Sequence, residues 1–102
     1  MKKEVLKEHL KAQCTGRKNT VTGAVLAQAI HVNGNDLRRL VNRLRQEGVP
    51  IASSREGYYY AATAGEVYST IRQLRRMVRG LESAISGLER ALERFGEGDG
   101  PA

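Results

Sequence analysis

A chain of 102 residues with a formal charge of +6 has room for one small domain and at most one appended element, because a second independent core would not fit. No apolar run approaches the roughly 20 residues of a membrane span, and the start Met1-Lys2-Lys3-Glu4 lacks a signal peptide's apolar segment, so a cytoplasmic protein with no membrane partner is expected. Cys14 is the single cysteine, which excludes an internal disulfide and agrees with a reducing compartment.

Residues 2–14 place Val5, Leu6, His9 and Leu10 on one helical face and Lys2, Lys3, Lys7 and Lys11 mostly on the other. This predicts a first helix that closes the core. His9, His31 and Cys14 match neither the spacing nor the count of a metal site, so no metal is expected there. Residues 15–19 have loop composition. Arg17 and Lys18 in that loop suit a phosphate contact and suit solvent equally well.

Thr22 can cap a short helix whose apolar residues Val25, Leu26, Ala29 and Ile30 fall at helical spacing, and the sequence His31-Val32-Asn33-Gly34 then breaks the pattern. Asn33 can cap a second helix, with Asp36 completing something close to a capping box. That helix is expected to run to about Glu47. Leu37, Leu40, Val41 and Leu44 occupy one stripe, while Asn35, Arg38, Arg39, Asn42, Arg43 and Gln46 fan out opposite. Gly48 is the natural stop. Residues 49–52 and 58–62 suit two strands joined through the turn residues 53–57.

The run Leu26-Ala27-x-x-Ile30-His31-Val32-Asn33-x-x-x-Leu37-x-x-x-Val41-x-x-Leu44-x-x-x-Gly48-Val49, followed by Gly57-Tyr58, is similar to the winged helix-turn-helix domain at the N-terminus of biotin repressors and many bacterial and phage regulators. The resemblance covers about residues 4–62. It implies that the helix after Asn33 is a recognition helix and the hairpin a wing that pairs with a short strand at Thr20-Val21, with Tyr58 in the core, Arg55 at a tip that lies along a groove, and Tyr59 on the outer face of the wing, where it packs against the following helix or else lies on a sugar-phosphate backbone. His31 departs from the pattern, standing where the family has Gly, so a left-handed turn is expected at some cost. Winged helices also serve as protein-binding modules, which keeps fold and function separate.

Residues 1–65 hold eleven Lys/Arg against five Asp/Glu, and residues 66–102 hold six against six. The whole excess therefore belongs to the first part, where a polyanion such as nucleic acid is the natural partner.

From Glu66 a long helix is expected, with apolar residues spaced by alternating fours and threes. Ile71, Val78, Ile85 and Leu92 take the a positions of a heptad, and Leu74, Leu81, Leu88 and Phe95 the d positions. β-branched residues at a with Leu at d favour a parallel two-stranded coiled coil, whereas the apolar g residues Met77, Ala84 and Ala91 widen the face in a way that suits antiparallel packing or a bundle. Gly80 and Gly87 lie at c and weaken the helix by about 1 kcal/mol each, so a partner is required. A second copy is the expected one; the other reading folds the seam back onto its own domain. The tail, 96–102, is Gly-rich and acidic and is expected to be disordered.

The expected fold class is mainly α with a small β-hairpin: a winged helix-turn-helix over 1–62, a coiled-coil helix over 66–95, and the tail. No Gly-rich phosphate loop, metal cluster or activated nucleophile is present, so neither enzymatic activity nor a cofactor is expected, and a small-molecule ligand has little room. The expected function is sequence-specific binding of double-stranded DNA by a dimeric bacterial or phage transcriptional regulator. Asn35, Arg38, Arg39, Asn42 and Arg43 would face the major groove, Lys18 and Arg55 would hold phosphates, and Arg72, Arg75, Arg76 and Arg79 could join them or remain solvated. Ile71, Leu74, Val78, Leu81, Ile85, Leu88 and Leu92 would form the dimer seam. The alternatives are a protein-interaction adaptor and a phage accessory factor for replication or recombination.

Overall fold

The computed structural model describes residues 2–95, so the expectation for the tail lies outside the described residues. In chain order the elements are α1 (Lys2–Gln13), a 3-10 turn (Arg17–Asn19), α2 (Gly23–Ala29), α3 (Gly34–Gln46), β1 (Ile51–Ser54), β2 (Gly57–Tyr60) and α4 (Ala64–Leu92). The chain is mainly helical, with one two-stranded antiparallel hairpin and a long C-terminal helix. It divides into two compact units, Met1–Thr70 and Ile71–Ala102. The boundary falls inside α4, not at the expected joint near residues 62–66.

Each helix of the first unit is delimited by local chemistry. The Thr22 hydroxyl accepts from the Val25 amide at 3.2 Å, and Asn33 Oδ1 accepts from the Asp36 amide at 2.8 Å. The second half of the expected capping box does not form; the Asp36 carboxylate turns to Arg39 instead. Both α2 and α3 end in the same way, with the amide two residues past the cap bonded back to a carbonyl of the last turn. For α3 these bonds are Gly48 to Arg45 and Val49 to Leu44, with Gly48 at φ 91°; for α2 they are His31 to Gln28 and Val32 to Ala27. His31 adopts φ 59° at the position that a glycine would take most easily.

Leu6 and Leu10 of α1, Leu26 and Ile30 of α2, Leu37, Val41 and Leu44 of α3, together with Cys14 and Ile51, form one buried cluster. Val5 and Val25, expected on the inner faces, are about half exposed. With only two turns, α2 presents Leu26, Ala27 and Ile30 inward, and Val25 falls to the side.

The hairpin pairs Ile51 with Tyr60 through Ser54 with Gly57. Its loop is therefore just Arg55-Glu56, tightened by the Ser54 hydroxyl accepting from the Glu56 amide at 3.2 Å. The strands are offset from the expected 49–52 and 58–62. The Val49 amide is already committed to closing α3 and Pro50 has none to offer, so pairing begins at Ile51. On its other edge β2 pairs with Val21, as anticipated, through mutual bonds of 2.9 and 2.8 Å with Tyr58.

Of its two expected uses, Tyr59 takes the packed one. It is 2 % exposed, while Tyr58 and Tyr60 are half-buried against the main core. The face of the hairpin that carries Tyr59 and its pair partner Ala52 is closed rather than open. The Ser53 amide donates to the buried Thr70 hydroxyl at 3.1 Å. Burial raises the Tyr59 pKa, and the nearby Glu66 charge raises it further while Arg17 opposes.

That first turn of α4 begins at Ala64, two residues before the expected start, because Thr63 and Glu66 form a cap. The Thr63 hydroxyl accepts from the Glu66 amide at 3.2 Å. The Glu66 carboxylate accepts from the amides of Ala62 at 2.7 Å and Arg17 at 3.0 Å. These backbone donors, Ala62 first, then Arg17 and Thr63, hold the Glu66 pKa below its ordinary value. The stability that the carboxylate contributes is therefore full above its unfolded-state pKa of about 4.3 and is lost as pH falls through its lower folded-state value. Glu66→Gln is expected to lower the melting temperature near neutral pH and to flatten the decline on acidification. Thermal melts between about pH 7 and pH 3 measure this, and identical pH dependence in the two proteins would remove Glu66 from this role.

In the second unit the heptad positions Val78, Leu81, Ile85, Leu88 and Leu92 are all more than half exposed. Ile71 and Leu74 are half-buried.

Candidate functional site

The geometry of α3 sorts its residues cleanly. Leu37, Val41 and Leu44 are buried and Leu40 half-buried, while Asn35, Arg38, Arg39, Asn42, Arg43 and Gln46 are exposed on the other side. A helix capped at both ends and anchored along one stripe presents those six polar side chains on a rigid rod, with neighbours three and four residues apart along it.

Two of the arginines already have partners on the same helix. A terminal nitrogen of Arg38 donates to Asn35 Oδ1 at 2.7 Å, and Arg39 lies 3.7 Å from the Asp36 carboxylate. Such exposed pairs three residues apart stabilise a helix by only about 0.2–0.5 kcal/mol, so a stronger partner displaces them at little cost. Until then they hold both guanidiniums along the helix surface. Asp36, read from sequence only as a cap, thus partly neutralises the N-terminal end of this face.

Arg45 was given no role by sequence reasoning, yet it is the most committed arginine of the helix. Its Nε donates to the Ile51 carbonyl at 2.8 Å and its guanidinium to the Ser53 hydroxyl at 3.1 Å. Burial lowers its pKa, with nearby Tyr58 opposing. The side chain ties the last turn of α3 to β1 and so fixes the hairpin relative to the exposed face of α3. One signal was present in the sequence: Arg45 directly follows a core leucine and lies one turn after Val41, on the flank between the stripes.

Two lysines of α1 are likewise engaged, Lys2 donating to the Ile30 carbonyl at 2.7 Å and Lys3 pairing with Glu47. Arg55 is exposed at the hairpin loop. Lys18 is exposed on the 3-10 turn, which packs beside β2, so it accompanies the hairpin rather than α3. Arg72, Arg75, Arg76 and Arg79 are exposed on the part of α4 that belongs to the second unit.

Among the described residues no three His, Cys, Asp or Glu side chains come together as a metal site, and no helix is long and apolar enough to cross a membrane. Comparisons with protein-family models, curated proteins and solved structures return no match for this chain.

Proposed function

We propose that the first unit is a winged helix-turn-helix that binds double-stranded DNA with sequence preference, and that the chain acts as a bacterial or phage transcriptional regulator assembled through α4. The observation that carries this reading is the exposed face of α3, where Asn35, Arg38, Arg39, Asn42 and Arg43 stand together on a helix fixed by caps and core. In a major groove, arginine pairs with the O6 and N7 atoms of guanine and asparagine with the N6 and N7 atoms of adenine. Arg55 in the wing and Lys18 beside it contribute charge to the phosphates, which positions the protein without specifying sequence. The clamp made by Arg45 keeps wing and recognition helix in one register.

Duplex binding measured across a salt series tests this reading against the adaptor, whose support is the exposed seam of α4 alone. A protein neutralising about six phosphates loses roughly a thousandfold in affinity between 50 and 200 mM salt. A steep dependence of that kind is expected. Absent or salt-independent duplex binding would leave the adaptor as the better account.

A further inference from the structure

The self-association through α4 proposed above leaves the orientation of the two helices open, and the residues flanking the seam decide it. The e positions are Arg75, Glu82 and Glu89, all exposed; the g positions are Met77, Ala84 and Ala91, apolar or small. With Gly80 and Gly87 at c, the small residues Gly80, Ala84, Gly87 and Ala91 form a stripe along the g side of the seam. One flank of the seam is thus charged and the other is smooth.

In a parallel pair each g position lies beside an e position of the other helix. Met77 would then sit against the partner's Glu82 and Ala84 against the partner's Glu89. No flanking ion pair forms, and carboxylates lose water against apolar groups. In an antiparallel pair e meets e and g meets g. The register that keeps the inner core layers intact sets Leu74 on the partner's Leu92, Val78 on the partner's Leu88 and Leu81 on the partner's Ile85. That same register puts Arg75 opposite the partner's Glu89, twice by symmetry. It also puts Ala84 against the partner's Ala84, where the two small-residue stripes allow close approach. Glu82 faces the partner's Glu82 on the axis, one like-charged contact against two opposite ones.

We propose that α4 pairs with a second copy of itself in antiparallel orientation, in the register that sets Arg75 against the partner's Glu89. The occupant follows from charge complementarity within this one helix. Residues 71–79 carry Arg72, Arg75, Arg76 and Arg79 without an acid, while the acids Glu82, Glu89 and Glu93 all lie beyond them, together with Arg90 and Arg94, neither of which is at an e or g position. The β-branched a positions favour a parallel pair, and here the flanks outweigh them. The two copies of Ile71, where the second unit joins the first, then stand about 36 Å apart along the pair instead of side by side.

Single-cysteine cross-linking in the full-length chain, read with sedimentation, tests the orientation; Cys14 is buried and common to all variants. Ala84→Cys is expected to form a disulfide-linked dimer under mild oxidation, and Leu88→Cys is not. Linkage through Leu88→Cys without Ala84→Cys means a parallel pair and overturns the proposal. A sedimenting dimer that neither variant links overturns the register. A monomer at every concentration instead refutes self-association itself. Charge exchange gives a second measure: Arg75→Glu is expected to weaken dimerisation about tenfold, and adding Glu89→Arg to restore it to within about twofold. Failure of that rescue in a dimer contradicts the pairing.

Discussion

Gly57→Ala is expected to cost the first unit about 4 kcal/mol or more, a large share of the 5–15 kcal/mol that holds a domain of this size together. Gly57 has φ 146°, a region that L side chains rarely enter, and an added Cβ would stand 2.0 Å from the Val21 carbonyl oxygen and 2.8 Å from the Thr22 Cα. Both are backbone atoms, so no side chain can swing aside. The Val21 carbonyl is also the acceptor for the Tyr58 amide, and moving it opens the bridge that joins β2 to the segment ahead of α2. At about 4–8 °C per kcal/mol for 60–100 residues, the melting temperature is expected to fall by about 20 °C or more. Gly34→Ala serves as the control, because a Cβ there meets nothing within 4 Å and the residue opens α3. Melts followed by circular dichroism compare the two, and a Gly57→Ala protein within a few degrees of the parent would mean that the close approach to Val21 is not present.

Leu81→Asp is expected to abolish self-association while leaving the first unit folded. Leu81 lies at a d position in the middle of the exposed stripe and is 65 % exposed in the single chain, so the substitution removes no packing from the protomer. In a pair it introduces two buried, unpartnered carboxylates, each costing about 3 kcal/mol or more. Dimer affinity should fall by at least about a thousandfold. Sedimentation across a concentration series measures it, with circular dichroism reporting the fold. A Leu81→Asp chain that still sedimented with the parent would take the seam out of the assembly.

Thr22, Asn33 and Gly48 delimit helices through bonds to residues three or four away, so their roles were legible in sequence alone. The exposed polar face of α3 is legible from helical period, whereas the bridge from Val21 to Tyr58 joins residues distant in the chain and is expected only from the resemblance. The hairpin was found but misplaced, because the amide of Val49 had already been claimed by the end of α3. For Tyr59 the strand alternation gives only the face; the extent of its burial depends on residues distant in the chain, among them Glu66 and Thr70. The Thr63-x-x-Glu66 cap was visible and was passed over, since Gly65 inside it reads as a joint. A cut after Gly65, which the heptad pattern invites, would therefore remove Glu66 and Thr70 from the unit they complete. At the candidate site, the positions of Arg38, Arg39, Asn42 and Arg43 follow from period, and the pairing of Arg39 with Asp36 is a contact between neighbours three residues apart on one helix; the inward turn of Arg45 depends on tertiary geometry that no local pattern encodes.

In the proposed function, α3 reads bases while the hairpin tip holds backbone. Arg39 and Asn42 project from successive turns of α3, about 5 Å apart along its axis, which suits contacts to neighbouring base pairs. The most direct measurement is affinity for a selected site and for a scrambled duplex, each across a salt series, for the parent, Arg39→Ala, Asn42→Ala and Arg55→Ala. Loss of either α3 side chain is expected to cost about 1–3 kcal/mol on the selected site and to flatten preference at one position. Loss of Arg55 is expected to weaken both duplexes alike and to reduce the salt slope by about one. Folded Arg39→Ala and Asn42→Ala proteins that bind both duplexes as the parent does would contradict the account.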